Sequence, residues 1–369
     1  MNVALVYNVK QNPSDLPSLS EEGDEPPRRL SSDGRGAVHS IAAPSIAALD
    51  AEAEWDTMDT ILAVKRALAE RHDVALIEAN EDAYDCLRAL QPEIVFNMSE
   101  GMNGVSRESQ IPAMLDFLRI PYTGSDPVTL GICLDKGLAK EVLAYHGIPT
   151  PRFSLVRSEA GLDHSAVPLP AIVKPVHEGS SKGIANSSVV RAAVELRSKV
   201  VQLLEEYHEP ALVEEFLPGR EFTVALLGNE ADVRVLPIVE INFSSLPEGV
   251  EPIYSFEAKW VWDHADSPID IFICPARIPE ALKESIERIC LRAYHALRCR
   301  DWCRIDVRLD DRGEPNIMEL NPLPGVLPNP EEHSCFPMAA FAAGMTYNEM
   351  INSVLDTASR RCGLTAGRT

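Results

Sequence analysis

The sequence predicts an α/β protein of two or three domains, on three observations. Apolar runs alternate with helical stretches over the first 125 residues, strand-like runs further on bracket a Gly/Ser loop and a helix, and a late hairpin sets two carboxylates face to face. A chain of 369 residues, 45% hydrophobic and 24% charged, has room for two or three domains with a sizeable core.

The elements follow in order. MNVALVYNVK reads as a first strand and lacks the basic start and long apolar run of a signal peptide. Residues 11–50, rich in Pro, Ser, Gly and charge, read as a mobile insertion with a short helix near Ile41–Leu49. Residues 57–72 carry Ile61, Val64 and Leu68 at helical spacing, and the strand DVALIEA follows. DAYDCLRAL is a helix, EIVFNMS a strand and QIPAMLDFL a helix, so a small parallel sheet is expected, with FNMSEG facing a crevice at its strand ends. LDKGLAKEVLAYHG is a helix closed by Gly147. LPAIVKP and EPALVEEFL are strands around the loop KPVHEGSSKGI and a helix over 192–206. FTVALLG and VRVLPIVEI are strands, PEALKESIERICLRAYHALRC is a long helix, and the end from Pro337 is helical with a fraying tail. Boundaries at 1–123, 124–217 and 218–369 divide the chain.

Charge excludes some partners. A net charge of −22 argues against nucleic acid or an anionic membrane, and an anionic nucleotide would need a local cluster of cations. No apolar run approaches transmembrane length, so a cytoplasmic location is expected. The eight cysteines include no CxxC pair; Cys299 and Cys303 lack the His or Cys that would complete a zinc set, and all are read as reduced thiols.

The chemistry sits in four stretches. In RIDVRLDDRGEPNIMELNPLPG, a turn at Arg312–Gly313 pairs Ile305 with Leu320, Val307 with Met318, Arg304 with Asn321 and Asp306 with Glu319. Facing like charges repel, and a divalent cation would offset that with Asn321 as a third oxygen donor; a solvated hairpin edge is the plainer alternative. The loop after Lys174 can bring backbone N–H groups to phosphate oxygens, although it lacks Walker A spacing and a surface loop would look similar. Lys136 opens a helix, where a solvated lysine is common. Glu214, Glu215 and Glu221 flank a tight turn and could hold an adenine amino group or ribose hydroxyls, or simply face water. Together these parts suit a nucleoside triphosphate with Mg²⁺.

On RIPYTGS (119–125), LDKGLAK (134–140), IVKPVHEGSSKGI (172–184), VEEFLPGREFTVALLG (213–228), FEAKW (256–260), RIDVRLDDRG (304–313) and ELNPLPG (319–325), the chain resembles the ATP-grasp superfamily and, within it, the D-alanine–D-alanine ligase family. The resemblance runs in family order over residues 85–355. It implies an ATP-grasp fold of three α/β domains: an N-terminal parallel sheet, a central lid domain and a C-terminal domain with a mainly antiparallel sheet. It implies that Lys136, Lys174 and Lys259 contact ATP, that Glu214, Leu217 and Glu221 hold adenine and ribose, and that the loop with Ser180 and Ser181 closes over the phosphates, Ser180 facing the reacting centre. Asp306, Glu319 and Asn321 would carry two Mg²⁺ ions, for which Mn²⁺ can substitute. Arg304 and the Gly325 N–H would stabilise the oxyanion, and Ser334 would bind the second amino acid's carboxylate. Family members are commonly dimers.

Departures cluster at the amino-acid pockets. VYNVKQNPSDL replaces the family's early glycine-rich turn and its ammonium-binding glutamate, for which Glu54 or Asp56 could stand in. Glu100 takes the place of a histidine, Arg107 and Glu108 change the charge pattern beside it, Trp260 replaces a tyrosine, and the loop from Gly325 to Ser334 is longer. The expected reaction is peptide-bond formation through an acylphosphate, D-alanine with D-alanine for peptidoglycan precursors. The alternatives are a ligase of another amino-acid or specialised-metabolite pair, and a non-catalytic nucleotide-binding module. The last predicts a degraded metal set, which the presence of Asp306, Glu319, Asn321 and Arg304 opposes.

Overall fold

The computed structural model describes residues 1–10, 54–246, 249–254, 271–332 and 334–364. The expected short helix near 41–49, the roles given to Lys259 and Trp260, and the frayed tail lie outside them.

The first sheet is parallel, in the order β2–β1–β3, from β1 (Asn2–Tyr7), β2 (Asp73–Glu78) and β3 (Ile94–Met98). Both faces of β1 are covered, as a parallel strand requires. Val3, Leu5 and Tyr7 join a core with helix α1 (Met58–Ala69), whereas Ala4 and Val6 face Leu87 of α2 (Ala83–Leu90) and Ile111 and Leu115 of α3 (Gln110–Leu118). Thr57 caps α1 by accepting from the Thr60 N–H.

Helices α4 (Pro127–Leu134) and α5 (Lys136–Tyr145) follow, each opened by an aspartate cap, Asp126 and Asp135. Their Cys133, Ala139 and Leu143 pack with Phe222, Ile286 and Ile305, residues of the third sheet and its helix, although the sequence groups these helices with the central unit. The central sheet is antiparallel, β4–β7–β5–β6, from β4 (Phe153–Val156), β5 (Ala171–Pro175), β6 (Val189–Val190) and β7 (Ala211–Glu215). Its own core forms against α6 (Ala193–Tyr207), the helix expected over 192–206.

The third sheet carries β8 (Glu221–Leu227), β9 (Arg234–Val235), β10 (Val239–Ile241), β11 (Phe272–Ile273), β12 (Trp302–Leu309) and β13 (Pro315–Asn321), in the order β11–β10–β8–β12–β13 with β9 also on β8. The single strand expected from VRVLPIVEI is two short ones, β9 and β10, divided around Leu236–Ile238, where Pro237 has no N–H to give a ladder. Helix α7 (Glu280–Ala296) packs against the β12–β13 side. The helical end is two helices, α8 (Cys335–Ala342) and α9 (Tyr347–Arg361), separated at Gly344, whose φ of 84° suits glycine.

The hairpin register matches expectation for Arg304–Asn321, Ile305–Leu320 and Asp306–Glu319, then shifts. Val307 faces Ile317, not Met318, across a bulge that leaves Met318 unpaired. On the outer side, the Ile317 N–H donates to the Pro149 carbonyl at 2.8 Å and the Ile317 carbonyl accepts from Thr150 Oγ1 at 2.9 Å. The bulge puts Ile317 into the core beside Val307 and Leu309.

Candidate active site

The crevice lies where α5, β5, β7 and β8 meet the β12–β13 hairpin. Asp306 and Glu319 are direct cross-strand partners, with Arg304 and Asn321 paired beside them. Arg304 grips Asp306 with Nε at 3.2 Å and Nη2 at 3.0 Å, and Asn321 Nδ2 donates to Asp306 Oδ2 at 3.2 Å. Burial pushes the Asp306 carboxyl up, an effect that Arg304 opposes and Glu319 reinforces. Glu319 goes the other way. Burial would raise it, but Lys136, Lys174 and Arg304 outweigh burial and bring it to about 2. Two opposed carboxylates and an amide form the hard-oxygen set that suits Mg²⁺. Among the described residues no group of three or more His, Cys, Asp or Glu side chains could hold a metal, so a cation here would rest on this mixed set.

Lys136, first residue of α5, lies 3.7 Å from Glu319 and donates to the Glu178 carbonyl at 2.6 Å. Lys174, near the end of β5, and Lys140, one turn beyond Lys136 on α5, both pair with Glu214 on β7. The side chains of Glu214 and Lys140 are 0% and 1% exposed. Lys140 also donates to Thr150 Oγ1 at 2.9 Å. The sequence assigns Glu214 to adenine or ribose; the structure instead gives both its carboxylate oxygens to lysines. Burial raises Glu214 and lowers Lys140, but the two lysines outweigh burial at Glu214 and hold it below the usual carboxylate range. Glu221 on β8 is likewise engaged, by the cross-strand Arg308 at 2.8 Å, and Arg308 stacks 4.9 Å from the Phe216 ring. Leu217 is buried.

The loop after β5 adopts an uncommon backbone. Ser180 and Ser181 have φ of 51° and 61°, left-handed values that cost a non-glycine residue free energy. Ser181 Oγ donates to the Tyr254 carbonyl at 2.8 Å. On the first-domain side Glu54 contacts Gly179, Arg107 and Lys182. Asp56, the other candidate for an ammonium, is pushed up to about 7 by burial against the pull of Lys10. Glu100 is raised well above its usual range by burial, then by Glu108, Glu54 and Asp56, and Glu108 is raised to about 7. Ser334 precedes α8 without capping it, and its Oγ donates instead to the Gly325 carbonyl at 2.9 Å. Beside it a cavity of about 240 Å³ is lined by Leu327, Pro337, Met338 and Phe341.

Sequence reasoning missed Lys140, Arg308, Lys182 and Glu54's partners. The spacing of Lys136 and Lys140, one turn apart on a helix face, was a readable sign for the first of these.

The family described as D-ala D-ala ligase C-terminus matches residues 142–356. A D-alanine–D-alanine ligase of Bordetella avium is 36% identical over 289 residues, covering 78% of this chain and 84% of the relative. This chain belongs to the D-alanine–D-alanine ligase family. An uncharacterized protein of Sinorhizobium fredii, y4sG, is 37% identical over 300 residues, covering 79% of this chain and 84% of its own length. The crystal structure of D-alanine–D-alanine ligase from Bacillus anthracis complexed with ATP superposes with a TM-score of 0.68 at 21% identity, covering 98% of both chains. That likeness shows the fold, the ATP-grasp fold of these ligases. No helix among the described residues is long and apolar enough to cross a membrane.

Proposed function

We propose that this member of the family uses ATP to join D-alanine to D-alanine, forming the peptide bond through an acylphosphate. The observation that carries the reading is the convergence of Lys136 and Lys174 on Glu319, with the forked Arg304–Asp306 pair on the neighbouring strand. In this reading 1–123 is a substrate domain and 218–369 a catalytic domain; within 124–217 the β4–β7 sheet with α6 is the lid, while α4 and α5 pack with the catalytic domain.

The first substrate's carboxylate attacks the γ-phosphorus of ATP, and ADP leaves with the bridging electron pair. The second substrate's amine attacks the acyl carbon, phosphate departs, and the ammonium proton is lost. Lys136 and Lys174 balance phosphate charge, and the loop carrying Ser180 and Ser181 covers the phosphates from water. Leu217 and Glu221 flank the nucleotide. Glu214 acts at one remove, by holding Lys174 in place. Arg304 and the Gly325 N–H face the oxygen that gains charge as the amine adds. Ser334 takes the second substrate's carboxylate. Asp306, Glu319 and Asn321 would hold two Mg²⁺ ions, which supply charge neutralisation at the phosphate oxygens.

A second reading, a ligase of a different amino-acid pair, is favoured by the cavity at Ser334, which mixes Leu327, Met338 and Phe341 with Asn329, and by the carboxyl group of Glu100 near Glu108 and Asp56. Phosphate release with Mg-ATP, measured over paired D- and L-amino acids with the product identified by mass, tests both. Turnover with D-alanine alone supports the first reading; release confined to other pairs supports the second, and no release with any pair sinks both.

A further inference from the structure

We propose that Glu54 is a positioning residue that clamps the loop over residues 178–184 to the first domain, and is not a ligand for a substrate ammonium. This rests on the reading that the loop covers the ATP phosphates.

Glu54 is already committed. Its Oε1 accepts the Gly179 N–H at 2.7 Å, and its Oε2 takes Arg107 Nη2 at 2.7 Å and Lys182 Nζ at 3.1 Å. Its side chain is 9% exposed. A carboxylate has about four lone-pair sites, so three buried donors leave little for a ligand. Burial works to raise its pKa, but Arg107 and Lys182 outweigh it, so the group is held as an anion. Gly179 is what permits the approach. A Cβ there would lie 2.2 Å from Glu54 Oε1, and its φ is not among the positive ones, so the need for glycine is closeness rather than backbone freedom.

Glu178 extends the clamp, pairing with Lys182 at 2.5 Å and lying 3.8 Å from Arg107. The same loop is held elsewhere by Lys136 at the Glu178 carbonyl and by Ser181 at the Tyr254 carbonyl. Glu54 and Arg107 thus supply the first domain's share of closure. If that share is lost, water reaches the acylphosphate. Water oxygen bonds to the acyl carbon, phosphate leaves as HPO4²⁻ with one of water's protons, and the carboxylate is regenerated with the other proton released to solvent. The net reaction is then ATP hydrolysis without ligation.

Glu54→Gln, Gly179→Ala and the double variant separate the two roles. ADP and ligated product are quantified, KM is measured for ATP and each amino acid, and hydrogen exchange is followed over 178–184. The clamp predicts a fall in kcat of about tenfold or more for either single variant. It also predicts ADP in excess of product, amino-acid KM within about twofold of wild type, and faster exchange in the loop. The double variant should be no worse than the more affected single one, because both act on the contacts of one carboxylate. An amino-acid KM raised about tenfold in Glu54→Gln with ADP and product still equal would make Glu54 a substrate ligand and overturn the proposal. Unchanged loop exchange in both single variants also overturns it, whatever the enzyme joins. Absence of ligation by wild type would instead overturn the reading of the reaction.

Discussion

Glu214→Gln is the sharpest test of how the nucleotide side of the site is built. The substitution keeps the shape of a fully buried side chain and removes the negative charge between Lys140 and Lys174. Two buried ammonium groups are then left beside each other without their counter-ion. Removing one partner of a buried ion pair typically costs about 3–5 kcal/mol. Part of that is recovered if Lys140 sheds its proton, since burial and then Lys174 already lower its pKa, with Glu214 opposing. A folded-state pKa below the unfolded value means that the protonated amine is carried at a cost in the fold. That cost fades as pH rises through the folded pKa. Urea unfolding at pH 6 and pH 9, followed by tryptophan fluorescence, should therefore show a deficit of about 3 kcal/mol or more at the lower pH and a smaller one at the higher. KM for ATP should rise as well, because Lys174 loses the group that aims it. If stability stays within about 1 kcal/mol of wild type and the variant alters only the preference between ATP and GTP, then Glu214 reads the base and this reasoning fails.

Three further outcomes follow from the same geometry. Under the proposed role of Arg304, facing charge that develops late, Arg304→Ala should lower kcat by about a hundredfold or more with ATP affinity nearly intact; normal turnover would remove it from the mechanism. EDTA should abolish turnover and Mg²⁺ restore it, and Asp306→Asn should raise the Mg²⁺ needed for half activity by about tenfold or more in a titration of rate against metal. His177 lies 2.9 Å from Glu209 and 3.4 Å from Asp135; burial opposes its charge, but hydrogen bonds to Asp135 and Glu209 win and raise it from 6.5 to about 9. Stability from this clasp is full below about pH 6.5 and lost as pH rises toward 9, on the order of 2 kcal/mol, and His177→Gln should flatten that loss in urea midpoints taken across the range.

What the sequence made legible was local. Period-2 runs gave the strands of the hairpin and the facing of Asp306 on Glu319, because one slip would expose Ile305 and Leu320. The bulge at Met318 was hidden, since it accompanies hydrogen bonds to the Pro149 carbonyl and from Thr150 Oγ1, distant in sequence from the hairpin. The break at Gly344 is written in the sequence, but it lies inside an apolar run that reads as one helix. Glu54 illustrates the harder case. Its partner Gly179 is 125 residues away, and no periodicity links a carboxylate after an insertion to a glycine in another domain. Lys140 and Glu214 were visible as residue types, but their burial against each other arises when α5 is laid beneath β7.

The core that holds β1 has a consequence for how the chain is made. Val3, Leu5, Ile61, Val64 and Leu68 share one cluster with Phe336, Met350, Ile351, Val354 and Leu355. Asn352 Nδ2 donates to the Ala67 carbonyl at 2.8 Å, and Arg71 meets Asp356 at 2.9 Å. The first strand and helix are therefore finished by the last two helices. During synthesis the apolar face that β1 and α1 present to α8 and α9 stays uncovered until residues 335–361 have been made. A nascent chain stalled before residue 345 should keep that face open to chaperones, while the central sheet, whose core is its own, can already be folded.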